Sequence, residues 1–318
     1  MLRKVIVLFV AMMMLIVTGC GGDKKETAPQ KQGQLQALTI GLMPDVDSIP
    51  FIIAQEKGFF KEEGLTVTLK PFKSAMERDS ALQSGNLDGA VSDMLAETFA
   101  KAGGFDTKIT SLTTGSYKMV AGKNETAASI QELKGKDVAI SKNTIIDYVT
   151  DRIATEGGLS ANAINKVVIP QIPARLEMLQ NGKIAAATLP EPMATVAIKN
   201  GAKLINSSDK LGINPGVMLF TTKAVTEKEK ELQAMYRAYN KAIDYLAKEP
   251  MENYIDLVIE KAGFPKDVKG TLVLPNYKKA MAPEQKDVDD VVNWLFTRQL
   301  IQSKYTYSDL VDNRFIRQ

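Results

Sequence analysis

The 318-residue chain contains no histidine, a single cysteine and a single tryptophan. Lack of histidine removes the commonest general base, the Ser-His-Asp triad and histidine-rich zinc sites. With Cys20 as the only cysteine, the body of the protein has neither a disulfide nor a cysteine nucleophile. After the first 22 residues no apolar run approaches the roughly 20 residues needed to span a bilayer. An excess of one charge is also missing: 40 basic against 37 acidic side chains give +3, so no basic face for nucleic acid is implied, and runs such as Glu227 to Glu231 read as solvated helix face. Carboxylates and lysines could still do chemistry, but these absences argue against an enzyme.

What is present begins at the N-terminus. Arg3 and Lys4 precede an apolar run from Val5 to Val17, and Val17-Thr18-Gly19-Cys20 is a small-residue cleavage site ending in cysteine. This pattern resembles a bacterial lipoprotein signal: residues 1–19 are removed and Cys20 carries lipid. The protein is then expected at the extracytoplasmic face of the cell membrane, with a formal charge near +1 once Arg3 and Lys4 are gone. Asp23 to Gln36 is polar, contains Pro29 and Gly33, and reads as a flexible tether, so residues 20–37 link the lipid to the folded body.

The body alternates strand and helix. Leu38 to Met43 is a short apolar strand, and Pro44 to Ser48 is turn-like. A helix over about Pro50 to Glu63 ends at Gly64, and Leu65 to Leu69 is a second strand. Ser74 with Glu77 forms a capping box opening a helix that Gly85 closes. Such repetition predicts an α/β fold with parallel sheets. Leu82-Gln83-Ser84-Gly85-Asn86-Leu87-Asp88-Gly89-Ala90 recurs as Leu179-Gln180-Asn181-Gly182-Lys183-Ile184-Ala185-Ala186-Ala187, which suggests one α/β lobe built twice. From Thr226, with Glu229 as a second capping box, Leu232, Tyr236, Tyr239, Ile243 and Leu246 share one helical face and read as core. Helices around Glu252 to Ala262 and Glu284 to Arg298 should wrap back onto the first lobe.

In open α/β sheets ligands bind beyond the carboxyl ends of the strands. Candidate loops there are Met43-Pro44-Asp45 with Asp47-Ser48, then Lys73-Ser74, Ser92-Asp93-Met94, Ser141-Lys142-Asn143-Thr144, and Leu189-Pro190-Glu191-Pro192. Each of these is also what a helix start prefers, so ligand contact and helix capping both stand. Lys142 could meet an anionic group at a helix N-terminus, though no phosphate-loop glycines precede it. Asp45 and Asp47 lack calcium-loop spacing to a downstream glutamate, so no metal is expected.

The run Ile40-Gly41-Leu42-Met43-Pro44 through Ser48-Ile49-Pro50-Phe51 to Gly58-Phe59-Phe60-Lys61-Glu62-Glu63-Gly64-Leu65 resembles the opening of ABC-importer solute-binding proteins of the nitrate, sulfonate, taurine and thiamine-precursor family (SsuA/THI5-like). The segments Leu82 to Ala90, Leu133 to Ile140 and Pro190-Glu191-Pro192 are similar to that family too, over most of residues 38–318. The resemblance implies a two-lobed, periplasmic-binding-protein-like α/β fold. Lobe I would comprise 38–118 plus 222–318 and lobe II 119–221, with connecting segments near Thr114 to Lys123 and Val217 to Lys223. It implies a monomer that closes on a small-molecule solute and docks on a permease, with no cofactor and no catalytic residue. Thr114 and Asn214 complete the expected ligand-binding set. Asp45, Asp47, Asp93 and Glu191 beside Lys73, Lys142 and Arg175 suit a zwitterion or a heteroaromatic amine better than a pure anion. Methionine-binding lipoproteins share this architecture. Fungal thiamine-pyrimidine synthases share it as well but consume an active-site histidine that this chain lacks; a carboxylate-based enzyme or an anchored sensor are the readings from other classes.

Overall fold

The computed structural model describes residues 35–160 and 162–316. The expected signal peptide, Cys20 and all but the last residues of the tether lie outside them. The tether's end is not free. Gln36 N donates to Glu231 Oε1 at 2.8 Å and Lys228 Nζ donates to the Ala37 carbonyl at 2.8 Å, so the folded body begins at Leu35.

Two five-stranded sheets organise the chain, and they are copies of one design. The first runs β2 (Val67–Pro71), β1 (Leu38–Leu42), β3 (Gly89–Asp93), β10 (Gly216–Thr221), β4 (Thr107–Leu112). The second runs β7 (Asn165–Val168), β6 (Asp137–Ile140), β8 (Ala186–Pro190), β5 (Tyr117–Ala121), β9 (Lys203–Ser207). In each, the first three strands are parallel, the fourth is antiparallel, and the fifth, antiparallel to the fourth, runs with the first three. The sequence repeat falls on the same place in both: Gly85 and Gly182, each with positive φ, end the helix that leads into the central strand. Central strands are covered on both faces by helices, so β3 and β8 are buried along their whole length.

The antiparallel strands move the lobe boundaries. Crossings were expected at Thr114 to Lys123 and at Val217 to Lys223. The chain instead leaves the first sheet at Leu112 and enters the second at Tyr117, and it returns between Leu211 and Gly216. The crossings are therefore 113–116 and 212–215. β5 lies inside the second sheet and β10 inside the first, each paired on both edges. An apolar strand pattern does not reveal which sheet a strand joins, and this shifted the expected limits.

Local corrections have local causes. The helix expected over Pro50 to Glu63 breaks into Ile49–Glu56 and Phe59–Glu62, because Gly58 adopts φ +78° and its N–H donates back to the Gln55 carbonyl. Ser74 caps its helix by accepting from Glu77 N, but Glu77 Oε2 accepts from Lys73 N rather than closing the box on Ser74. No capping box forms at Thr226, whose hydroxyl donates to the Thr222 carbonyl inside the helix Thr222–Glu227; the long helix starts afresh at Glu229. Its Leu232, Tyr236, Tyr239 and Ile243 are buried, with Tyr239 against Phe51 at 5.0 Å between ring centroids.

The helix Gln285–Thr297 packs on Met94–Ala102 of the first lobe, as expected, and also reaches the second. Trp294 Nε1 donates to Asp151 Oδ2 at 3.2 Å, Arg298 pairs with the same carboxylate, and Tyr148 OH donates to Asp290. No helix among the described residues is long and apolar enough to cross a membrane.

The closeness of β3 and β10 is testable. A Cβ on Gly89 would lie 2.5 Å from the Phe220 ring and 2.7 Å from the Leu219 carbonyl, and such overpacking costs about 1–3 kcal/mol. Gly89→Ala should therefore lower the urea midpoint at constant slope; an unchanged midpoint would show that the strand pair yields freely.

Candidate functional site

The lobes meet around a cavity, with main-chain bonds across its rim. Val46 N donates to the Glu191 carbonyl and Ile172 N to the Lys73 carbonyl, both at 3.0 Å. The cavity volume is about 40 Å³. Its occupant must be small and narrow.

Five expected site residues line this cavity: Met43, Asp45, Asp93, Ser141 and Thr144. Two of them also cap helices: Asp93 Oδ1 accepts from Ala96 N at 2.9 Å and Thr144 Oγ1 from Ile146 N at 3.2 Å. Pro44, Ser48, Ser74 and Met94 are buried behind the wall. Ser48 Oγ accepts from Met43 N and donates to Asp45 Oδ1, which ties the first loop to itself. Lys73, Lys142 and Asn143 are exposed and leave the cavity wall to others. Glu191 is consumed by Lys118, by Thr195 N and by the Thr195 hydroxyl. Thr114 and Asn214 face a separate depression at the crossings, where Asn214 Nδ2 donates to the Thr113 carbonyl at 2.7 Å and binds one crossing to the other.

Asp47 belongs to that hinge as well. Tyr117 OH donates to its Oδ2 at 3.1 Å, and its carboxylate lies where a Cβ on Gly115 or Gly216 would stand, at 2.3 and 3.0 Å. Gly115, in the first crossing, and Gly216, where β10 begins after the second, make room for it. Burial pushes the Asp47 carboxyl up to about 6, against hydrogen bonds from Thr113 and Tyr117 that pull it down. Asp45 is raised too, first by burial and then by the neighbouring Asp47.

Sequence reasoning passed over Arg78 and placed Arg175 in the cleft without a role. Both line the cavity, and they are 3% and 0% exposed. Arg78 Nε pairs with Asp79 and its Nη2 stands 3.6 Å from Asp93 Oδ2, so its charge is compensated. Arg175 has only carbonyl partners: Thr188 on Nε, Ile169 and Pro170 on Nη1. Without a carboxylate, burial pushes its guanidinium down to about 9, still charged at neutral pH. Ser92, in one of the candidate loops, lines the cavity too, whereas Tyr117 was missed because it sits in β5, a segment that reads as a connection. The apolar wall, including Val91, Ile145, Ile146 and Ile172, carries no chemical signature that a sequence could reveal.

A family model described as NMT1/THI5 like matches residues 45–253. The chain belongs to the NMT1/THI5-like family. Among solved structures, the alkanesulfonate-binding protein SsuA of Xanthomonas axonopodis pv. citri, bound to MOPS, is similar with a TM-score of 0.75 at 18% identity, over 87% of this chain and 98% of the other. The aliphatic sulphonate-binding SsuA of Escherichia coli gives 0.73 at 18% identity over 87% and 97%. The nitrate-binding NrtA of Synechocystis PCC 6803 gives 0.69 at 14% over 85% and 83%. A search of curated proteins returned no match. The two-lobed binding-protein fold of this NMT1/THI5-like chain is thereby established, and such identities carry the fold alone.

The hinge carboxylate yields a pH prediction. A carboxyl raised on folding stabilises the protein fully below its unfolded value of 3.8, and that contribution is lost as the pH climbs through about 6. Acidification from pH 7 toward 5 should raise the denaturation midpoint, and Asp47→Asn should flatten this rise. Buried Glu97, raised to about 7, acts in the same direction elsewhere, so the comparison of variant with parent carries the test. Equal slopes in the two proteins would place the Asp47 carboxyl in its ordinary range.

Proposed function

We propose that this protein is the extracytoplasmic solute-binding component of an ABC importer, which captures a small organic solute between its lobes and delivers it to a permease. One observation carries the reading: both lobes contribute walls to a single small cavity whose rim is closed by main-chain bonds between them. Contacts made to both lobes at once are what allows a ligand to favour a closed state. Family membership supports it, as do structural neighbours that are themselves binding proteins for sulfonates and nitrate. The lipoprotein pattern at Cys20 fits a protein held at the membrane beside its permease.

The Ser92 hydroxyl of the cavity is not set up as a nucleophile. The cavity's hydroxyls are those of Ser92, Ser141, Thr144 and Tyr117, and Ser92 Oγ has no hydrogen-bond partner among the described residues, hence no base to activate it. No group of His, Cys, Asp and Glu among those residues could hold a metal ion.

A thermal-shift screen of small sulfonates, carboxylates, amino acids and pyrimidines tests the reading. A ligand at about 100 times its dissociation constant stabilises the native state by about 2.7 kcal/mol, and the bound solute should be recovered unchanged from a 1:1 complex. Catalytic turnover of the solute would overthrow the proposal. Cys20→Ala should move the protein from the membrane to the soluble fraction while solute affinity stays intact; retention in the membrane would refute the lipid anchor.

A further inference from the structure

The two buried arginines are equivalent in the internal repeat. Arg78 stands seven residues before Gly85 and Arg175 seven before Gly182. Each reaches from its helix to the neighbouring central strand and donates to the carbonyl six residues beyond that glycine: Arg78 Nη1 to Val91 at 3.3 Å, Arg175 Nε to Thr188 at 3.0 Å. The duplicated lobe has thus placed one guanidinium on each side of the same cavity. In both, Nη2 is buried and makes no hydrogen bond among the described residues, and the Ser92 hydroxyl beside them has none either.

A buried donor without an acceptor costs free energy comparable to its desolvation, and a buried guanidinium without a counter-charge costs more. The wall offers two carboxylates to offset this. Asp93 already faces Arg78 and caps its helix. Asp45 accepts from Ser48, and burial with Asp47 close by favours its protonated form. Neither pairs with Arg175, whose partners among the described residues are carbonyls. The unmet requirement in the cavity is an acceptor carrying negative charge, placed between the lobes.

We propose that Arg78 and Arg175 form a clamp for one anionic group, a carboxylate or sulfonate, of a small solute whose apolar body lies against Met43, Val91, Ile146 and Ile172. This rests on the solute-capture reading and names the class of solute. Guanidinium groups suit the task because their planar donors match the oxygens of such a group and stay charged when buried. The clamp also supplies the drive for closure. An anion on one lobe meets one arginine; on closing it meets both, and Arg175 gains the counter-charge it otherwise lacks. The exposed Lys73 and Lys142 are not needed, and the anion that the sequence seemed to disfavour becomes the fitting ligand.

Minimal head groups test the clamp on the purified folded protein. Acetate and methanesulfonate at tens of millimolar, with ionic strength matched, should raise the melting temperature, whereas acetamide and dimethyl sulfone should not. Propionate and ethanesulfonate should bind more tightly than the one-carbon heads. In Arg175→Gln the affinity for the acids, measured by calorimetry, should fall about 30-fold or more. Arg175→Lys keeps the charge and should keep the preference for acid over amide at reduced affinity, which reports on the clamp even if the glutamine variant fails to fold. Acids and neutral analogues stabilising the protein equally, or no acid stabilising it, would overturn the clamp. A neutral solute that binds with 1:1 stoichiometry would overturn the clamp and leave solute capture standing; turnover of a bound acid would do the reverse.

Discussion

A charge buried without its partner governs this molecule. Arg175 is fully enclosed, holds three backbone carbonyls and meets no carboxylate among the described residues. Protein interiors accept such a group only where something else offsets the lost hydration. The rest of the cleft can be understood from that constraint. The helix Ile172–Gln180 brings the residue to the cavity wall, the carbonyls of β8 and of the preceding loop fix its plane, and Nη2 is left without a hydrogen-bond partner among the described residues.

Duplication supplies the complement. Because both sheets follow one order, an arginine at one position of the repeat appears twice, facing itself across the cleft. The copies have since diverged in their surroundings. Arg78 stands beside Asp79 and Asp93, so the first lobe presents a neutralised donor, whereas the second presents an open charge. A ligand group bridging the two changes the energy of the closed state far more than that of either lobe alone. The hinge that permits this is narrow: the crossings 113–116 and 212–215 are tied by Asn214 and packed around Asp47. The helix Gln285–Thr297 adds a third link through Asp151 and Asp290, so lobe movement must also work against those polar contacts.

Much of the fold was legible in the sequence because it rests on periodic burial and on punctuation. The Leu38 strand, the glycine stops at Gly85 and Gly182, and the tyrosine face of the long helix each follow from a local rule. Features that failed depend on distant partners. β5 and β10 read as connections because nothing in their composition tells which sheet supplies their neighbours, and Thr226 read as a cap because a hydroxyl inside a helix looks the same in sequence. Met43, Asp45, Asp93, Ser141 and Thr144, read from their place beyond strand ends, line the cavity. Lys73 and Lys142 stand exposed at the same kind of junction, since long cationic side chains there turn to water as readily as to a cleft. The strongest signal was present but went unread: an arginine at the same offset from the glycine in both copies of the repeat. Only burial distinguishes it from an ordinary surface charge on a helix.

Lobe closure driven by solute is the central claim, and small-angle X-ray scattering with and without a bound solute tests it most directly. The ligand-free protein should scatter as a more extended particle than this structure, because opening returns water to the Arg175 guanidinium. Saturation with the solute should contract it to the dimensions of the closed form described here. A ligand-free protein that already matches those dimensions, and does not change when the solute binds, would contradict the account.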